Sequence, residues 1–220
     1  MQDARGRIIQ QARELFFRFN YSKVSVDEIA AGLGMSKKTI YKFFPGKEAI
    51  LRQIFAIMFH QVNQEARSIV ENDASDFPEK LDKLLRFMAR RTQLLQMPLL
   101  AEVKLRFPDL WEQVQVFRRE KVAYYLRQIL RQGEAEGFFQ ADFDIELLIH
   151  LYSNLALAAI DPVFLQQQQR TADEVFHDII TILFAGVLTE KGRQHFDQVG
   201  LPSRSMVQAE IQRRVNGASL

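Results

Sequence analysis

Three amines, two hydroxyls and a phenol fall within seven residues, Ser36-Lys37-Lys38-Thr39-Ile40-Tyr41-Lys42. Placed on a helix, Ile40 and Phe44 share one inward face, while Lys37, Lys38, Tyr41 and Lys42 stay outside. None of these groups has an activating base beside it, so the chemistry on offer is donation of hydrogen bonds and positive charge. A helix of this kind can lay its outward side in a duplex major groove, about 12 Å wide, while its apolar side packs on its own domain.

Such a face needs elements that hold it rigid and leave it bare. Upstream, Ile8, Ile9, Ala12, Leu15, Phe16 and Phe19 form an apolar stripe with Arg5, Arg13, Glu14 and Arg18 around it, and Asn20-Tyr21 ends that helix. Ser25 caps a second helix: Glu28 closes a capping box, and Val24 and Ile29 occupy the hydrophobic-staple positions. Val26, Ile29, Ala30 and Leu33 point inward before Gly34 stops the helix in the left-handed region. Ser36 caps the third helix, with Met35 and Ile40 as its staple, and Pro45-Gly46 breaks it. A longer periodic segment follows from about Lys47 to Val70. Two short capped helices joined by LGMS meet the requirements of a helix-turn-helix. Spacing and charge alone leave two readings open, DNA binding and a solvated helical subdomain.

Charge is distributed unevenly. Residues 1–52 hold ten Lys or Arg against five Asp or Glu, whereas the remainder holds 19 against 22. A basic first quarter suits a polyanionic partner at that end. The absence of Cys excludes a disulfide framework, a thiolate nucleophile and a cysteine-bearing metal site. The longest apolar runs, at 155–160 and 182–188, fall short of the roughly 18–20 residues of a membrane span, so no membrane partner is expected. With no apolar leader in MQDARGRIIQQ, a cytoplasmic location is expected.

From Ala12 to Leu51, ARELFFRFNYSKVSVDEIAAGLGMSKKTIYKFFPGKEAIL resembles the DNA-binding domain of the tetracycline-repressor (TetR) family. Three stretches carry the resemblance: A-x-x-L-F, S-V-x-x-I-A-x-x-L-G-M-S-x-x-T-I-Y, and F-F-x-x-K-E-x-I-L. It implies that Ser25 meets a phosphate besides capping its helix. It also implies that Ser36, Lys37, Lys38 and Thr39 open a recognition helix that meets base edges and phosphates, where lysine can donate to guanine O6 or N7. By the same resemblance Tyr41 donates to the DNA backbone, Lys42 is a further exposed donor, and Lys47 contacts a phosphate. Many relatives carry Gly or Ala at Lys38, and His or Tyr at Phe43; Phe43 is expected to pack against helix four or helix one.

The remaining chain reads as further helices. Asn72 to Pro78 is a polar connection, and a helix with Leu81, Leu84, Leu85 and Met88 follows. Pro98 interrupts the next run, and Pro108 starts a long amphipathic helix through Trp111, Val114, Arg118, Val122, Tyr125 and Ile129 to a break at Gly133–Gly137. Ile145 to Ala159 is nearly apolar, the QQQQR stretch reads as a linker, and Ala172 to Leu188 is the last strong helix. The expected fold is all-α: a three-helix DNA-binding domain (1–46), a helical ligand-binding and dimerisation domain (47–200), and a tail (201–220) whose order is left open.

The resemblance further implies a homodimer on a pseudopalindromic double-stranded DNA operator, released by a small-molecule effector. Repression follows from the family's habits, and activation stays open. Ser153, Leu155, Ala156, Ala159, Ile179, Leu183, Ala185 and Gly186 are the expected dimer contacts, with the monomer core as their other reading. Phe87, Met88, Phe107, Trp111, Phe117, Tyr124 and Tyr125 can line an apolar pocket, and Arg91, Arg118, His150 and Asn154 can orient a polar group, which suits an apolar or aromatic effector. No enzyme motif is present, and the four histidines have poor ligand spacing, so no catalysis, metal or cofactor is expected. A helical small-molecule carrier without DNA function is the alternative, and retention of Lys37, Thr39, Tyr41 and Lys47 argues against it.

Overall fold

A computed structural model describes residues 4–94, 98–158 and 162–199, and these are helical almost throughout. In chain order the helices are α1 (Ala4–Phe19), α2 (Val26–Leu33), α3 (Lys37–Phe43), α4 (Lys47–Val70), α5 (Phe77–Leu94), α6 (Pro98–Arg106) and α7 (Pro108–Phe117). A π-helical turn (Arg118–Val122) follows, then α8 (Ala123–Ala135), α9 (Ile145–Ala158), α10 (Pro162–Gln168), α11 (Ala172–Ala185) and α12 (Glu190–Val199). The chain forms two compact units: Met1–Glu65 with Met97–Phe117, and Ala66–Gln96 with Arg118–Leu220.

The first unit is built around α1. Its helical spacing sends Ile8, Ile9, Ala12 and Phe16 into the core, where α2 supplies Ile29 and Ala30, α3 supplies Ile40, and α4 supplies Ile50, Leu51, Ile54 and Phe55. Each buried Ile, Leu or Phe contributes about 1.5–3 kcal/mol relative to exposure. Leu99, Leu100 and Val103 of α6 and Leu110 and Val114 of α7 are buried as well. Polar links tie α6 and α7 to the helix-turn-helix. Both Glu102 carboxylate oxygens accept the Ser22 amide at 3.1 Å, Arg52 of α4 pairs with Asp109 of α7 at 2.5 Å, and the Tyr21 ring meets Phe107 edge-on at 5.0 Å.

The second unit has an aromatic centre. Phe77 of α5 packs against Phe138 and Phe139, and Phe139 against Phe184 of α11. Leu126, Ile129 and Leu130 of α8 and Leu148, Ile149 and Tyr152 of α9 are buried in this unit. Gly133 is an internal residue of α8 and not the break its composition suggests. A Cβ there would lie 2.5 Å from the Phe77 ring and 2.7 Å from Phe139, so close packing selects glycine against its poor helix propensity. The chain turns instead at Gly137, whose φ of 74° suits glycine.

Two further expectations change. The long helix expected from Pro108 is divided by the π-helical turn at Arg118–Val122. Gln166, Gln167 and Gln168 belong to α10, which Pro162 opens, so the glutamine stretch is not a linker; the chain leaves that helix through Gln169 at φ 51°. Helix α12 is an element that the sequence pattern did not announce.

Candidate nucleic-acid interface

The second and third helices are started and stopped by their own side chains. Ser25 Oγ accepts the Glu28 amide at 3.2 Å, and the Glu28 carboxylate accepts the Ser25 amide at 2.7 Å and the Ser25 hydroxyl at 2.8 Å. These bonds, the backbone one foremost, hold the Glu28 carboxyl below the usual carboxylate range. Val24 is buried with Ile29, completing the staple. Gly34, at φ 63°, ends α2, and its amide and that of Met35 return to carbonyls of the last turn. Two residues later Ser36 caps α3 by accepting the Thr39 amide at 3.1 Å, and the Ser36 and Thr39 hydroxyls lie 2.8 Å apart. The turn between the helices is therefore short and closed by backbone and side-chain hydrogen bonds.

Helix α3 is anchored from one side only. Ile40 and Phe44 are buried, while Lys37, Lys38, Tyr41, Lys42 and Phe43 are exposed and Thr39 is half-buried. Tyr41 has 47% of its surface free. Phe43 is 41% free, so it does not pack into the domain as expected; Phe44, one residue on, takes that place. The helix period decides this: Ile40 and Phe44 are four apart, whereas Phe43 lies about 100° away. Lys37 is 2.9 Å from Asp27 of α2, and that hydrogen bond raises its pKa above the ordinary lysine value. Lys38 and Lys42, both exposed, complete the cationic side.

Lys47 sits differently from its expected phosphate-facing role. It is half-buried, and its ammonium donates to the carbonyls of Tyr21 and Val24, each at 2.8 Å, with the Tyr21 ring 4.2 Å below it. Burial lowers its pKa. A cation at the start of α4 opposes the helix dipole, and the carbonyls at the end of the α1–α2 connection supply the compensation inside the chain. Ser25 is likewise occupied, its hydroxyl accepting from Glu28 and donating to the same residue. Sequence spacing did not reveal Asp27, Tyr21 or Glu102 as parts of the site's support.

The other expected residues divide between the units. Phe107 is buried and Trp111 and Phe117 are half-buried in the first unit, where Phe117 stacks on Phe59 at 4.8 Å. Phe87, Met88 and Tyr125 are buried in the second unit, Arg118 is half-buried, and Tyr124 is exposed. His150 and Asn154 stand exposed on α9, with the Asn154 amide donating to the His150 carbonyl at 2.8 Å. The Arg91 and Ala156 side chains and Ala159 lie outside the described residues.

Of the expected dimer contacts, Leu155, Ala185 and Gly186 are exposed, and Ser153, Ile179 and Leu183 are half-buried. Three apolar neighbours were not anticipated: Leu147 and Leu151, which with Leu155 form an i, i+4, i+8 row on α9, and Ile182 of α11, 72% exposed. Helix α9 packs on α11, so these residues belong to one helix pair. Among the described residues no helix is long and apolar enough to cross a membrane, and no three His, Asp or Glu side chains gather to hold a metal ion.

Residues 8–54 match the model of the family described as "Bacterial regulatory proteins, tetR family". Over 185 residues the chain is 26% identical to the HTH-type transcriptional regulator YvaF of Bacillus subtilis, covering 84% of this chain and 96% of that protein. A transcriptional regulator of the TetR/AcrR family from Thermobifida fusca superposes with a TM-score of 0.63 at 25% identity, over 84% of this chain and 98% of that one. A TetR transcription regulator from Haloarcula marismortui gives a TM-score of 0.68 at 17% identity with the same coverage.

Proposed function

Because this chain belongs to the TetR family of transcriptional regulators, we propose that it is a ligand-responsive repressor that binds a pseudopalindromic operator as a homodimer and leaves it when a small-molecule effector binds. The single observation carrying the DNA-binding half is α3, buried along Ile40 and Phe44 and bare along Lys38, Tyr41 and Lys42. That face fits a major groove, with Lys37, Lys38 and Thr39 toward base edges and Tyr41 and Lys42 toward phosphates. Ser25 and Ser36 hold the amino ends of α2 and α3, whose free amides favour anions. Lys47 acts first as the clamp of the α1–α2 connection, and any phosphate it meets is shared with those carbonyls.

One such module reads few base pairs, so two are needed for operator affinity. The exposed row Leu147, Leu151 and Leu155, with Ile182, Ala185 and Gly186, supports pairing of two chains through α9 and α11. The division into a DNA-binding domain at 1–46 and a ligand-binding and dimerisation domain at 47–200 is kept as part of the same reading. Selection of bound fragments from genomic DNA, repeated over a salt series, tests it. The expected product is a two-half-site sequence whose binding weakens steeply with salt through counterion release. A folded dimer that enriches no sequence at low salt refutes it.

A further inference from the structure

Resting on the operator-binding reading above, we propose that Asp27 is a positioning residue for sequence discrimination: it holds the Lys37 ammonium back from phosphates and reserves it for an acceptor on a base edge, guanine O6 or N7.

The first turn of α2 carries two acids with different partners. Glu28 turns back to Ser25 and closes the capping box, whereas the Asp27 carboxylate reaches across to α3 and meets the Lys37 ammonium at 2.9 Å. The lysines of α3 are thereby unequal. Among the described residues Lys37 has an ion pair, and Lys38 and Lys42 have none. The pair lies on the surface: 66% of the Asp27 side chain and 48% of the Lys37 side chain stay accessible. An exposed ion pair contributes little to stability, so holding the fold together does not account for it.

Beside a duplex the same pair has consequences. A carboxylate there is repelled by phosphates, and an ammonium that it already neutralises gains little by displacing a counterion from the DNA. Lys37 therefore has a weak incentive to move to the backbone. An ammonium carries three donors and Asp27 accepts one of them, which leaves two for other acceptors within reach. Guanine O6 and N7 accept such bonds without carrying a phosphate's charge, so the paired lysine rewards a particular base edge more than it rewards DNA at large. Sequence-independent attraction is left to cations without such a tether, Lys42 on the same helix among them.

The test uses the full chain and two duplexes: the sequence enriched from genomic DNA, and the same duplex with its half-sites scrambled. Affinities for both are measured over a salt series for the parent, Asp27→Asn, Lys37→Gln and the double variant. Asp27→Asn is expected to bind the scrambled duplex more tightly. Its slope of log K against log salt steepens by about 0.9 for each bound subunit, because the released lysine neutralises a phosphate. The ratio of enriched to scrambled affinity falls roughly fivefold or more, the lower end of what one good base contact discriminates. Lys37→Gln lowers the same ratio and leaves the parent's slope nearly unchanged, whereas in the Asp27→Asn background it removes the added steepness. All four proteins melt within about 2 °C of one another, as suits an exposed pair. The proposal is overturned when Asp27→Asn keeps the parent's slope and ratio, since the pair is then only solvated charge. It is equally overturned when Asp27→Asn has the same effect in the Lys37→Gln background, because the carboxylate then acts on the DNA directly, or when Asp27→Asn melts well below the parent, which makes Asp27 a structural group of α2. A parent that enriches no sequence refutes the DNA-binding reading and this proposal with it, whereas a parent that binds its operator no more selectively than Asp27→Asn does refutes the role of Asp27 alone.

Discussion

Replacing Lys47 with Met separates two roles that one exposed lysine would confuse. The ammonium makes two charge-assisted hydrogen bonds, to Tyr21 and Val24 carbonyls at 2.8 Å, and lies 4.2 Å from the Tyr21 ring. Bonds to a charged group contribute about 1.5–3 kcal/mol each, and a cation–π contact adds about 0.5–1 kcal/mol at partly exposed sites. Desolvation of the half-buried lysine, which lowers its pKa, offsets part of that sum. The net loss on Lys47→Met is expected at about 2–3 kcal/mol, which is roughly 5–10 °C in Tm for a chain of this size. Differential scanning calorimetry or circular dichroism melting reads the loss directly. Operator affinity measured well below the melting range completes the assay. A clamp residue lowers affinity equally on all sequences by loosening α2, and leaves the slope of log K against log salt nearly unchanged. A residue that neutralised one phosphate would reduce that slope by about 0.9. An unchanged Tm together with a slope reduced by that amount would refute the clamp and restore Lys47 to the DNA backbone.

Tyr41→Ala, at a position with nearly half its surface free, is expected to weaken DNA binding across sequences while leaving Tm within about 0.5 kcal/mol of the parent in stability; equal affinity at several salt concentrations counts against its place on the interface. Gly133→Ala is expected to destabilise by about 1–3 kcal/mol despite better helix propensity, because its Cβ meets the Phe77 and Phe139 rings, and a rise in Tm would show that those rings can yield. Ser25→Ala removes the α2 cap at a cost of about 1 kcal/mol. Because Glu28 has its carboxyl pKa lowered in the folded state, its contribution is present above the ordinary carboxylate pKa and is lost as pH falls through the lower folded value; Ser25→Ala should flatten that acid limb, and identical limbs would sever the link. Ile182→Asp is expected to shift the dimer toward monomer at micromolar concentration in sedimentation velocity, with the helical spectrum retained; a dimer of unchanged stability moves the interface elsewhere.

The helix-turn-helix was legible because its signals are short-range. A cap, a capping box, a staple and a left-handed glycine each act within about five residues, so Ser25, Glu28, Gly34 and Ser36 specify the ends of α2 and α3 from sequence alone. The inward face of α3 follows from Ile40 and Phe44 by helix period. What lay beyond the sequence depends on partners far along the chain. Lys47 is satisfied by carbonyls 23 and 26 residues earlier, so its role as a clamp was invisible to spacing. Glu102 reaches Ser22 across 80 residues, which helps α6 and α7 join the same compact unit as the DNA-binding helices. Gly133 looked like a helix breaker until two phenylalanine rings occupied the space its side chain would need. Arg118 was placed by helix period with Trp111 and Val114, but the π-helical turn that it opens, where it is half-buried beside exposed Arg119, Glu120 and Lys121, was not foreseen. Local backbone chemistry can be read one turn at a time, but which charged groups lose their water is decided only when distant segments close around them.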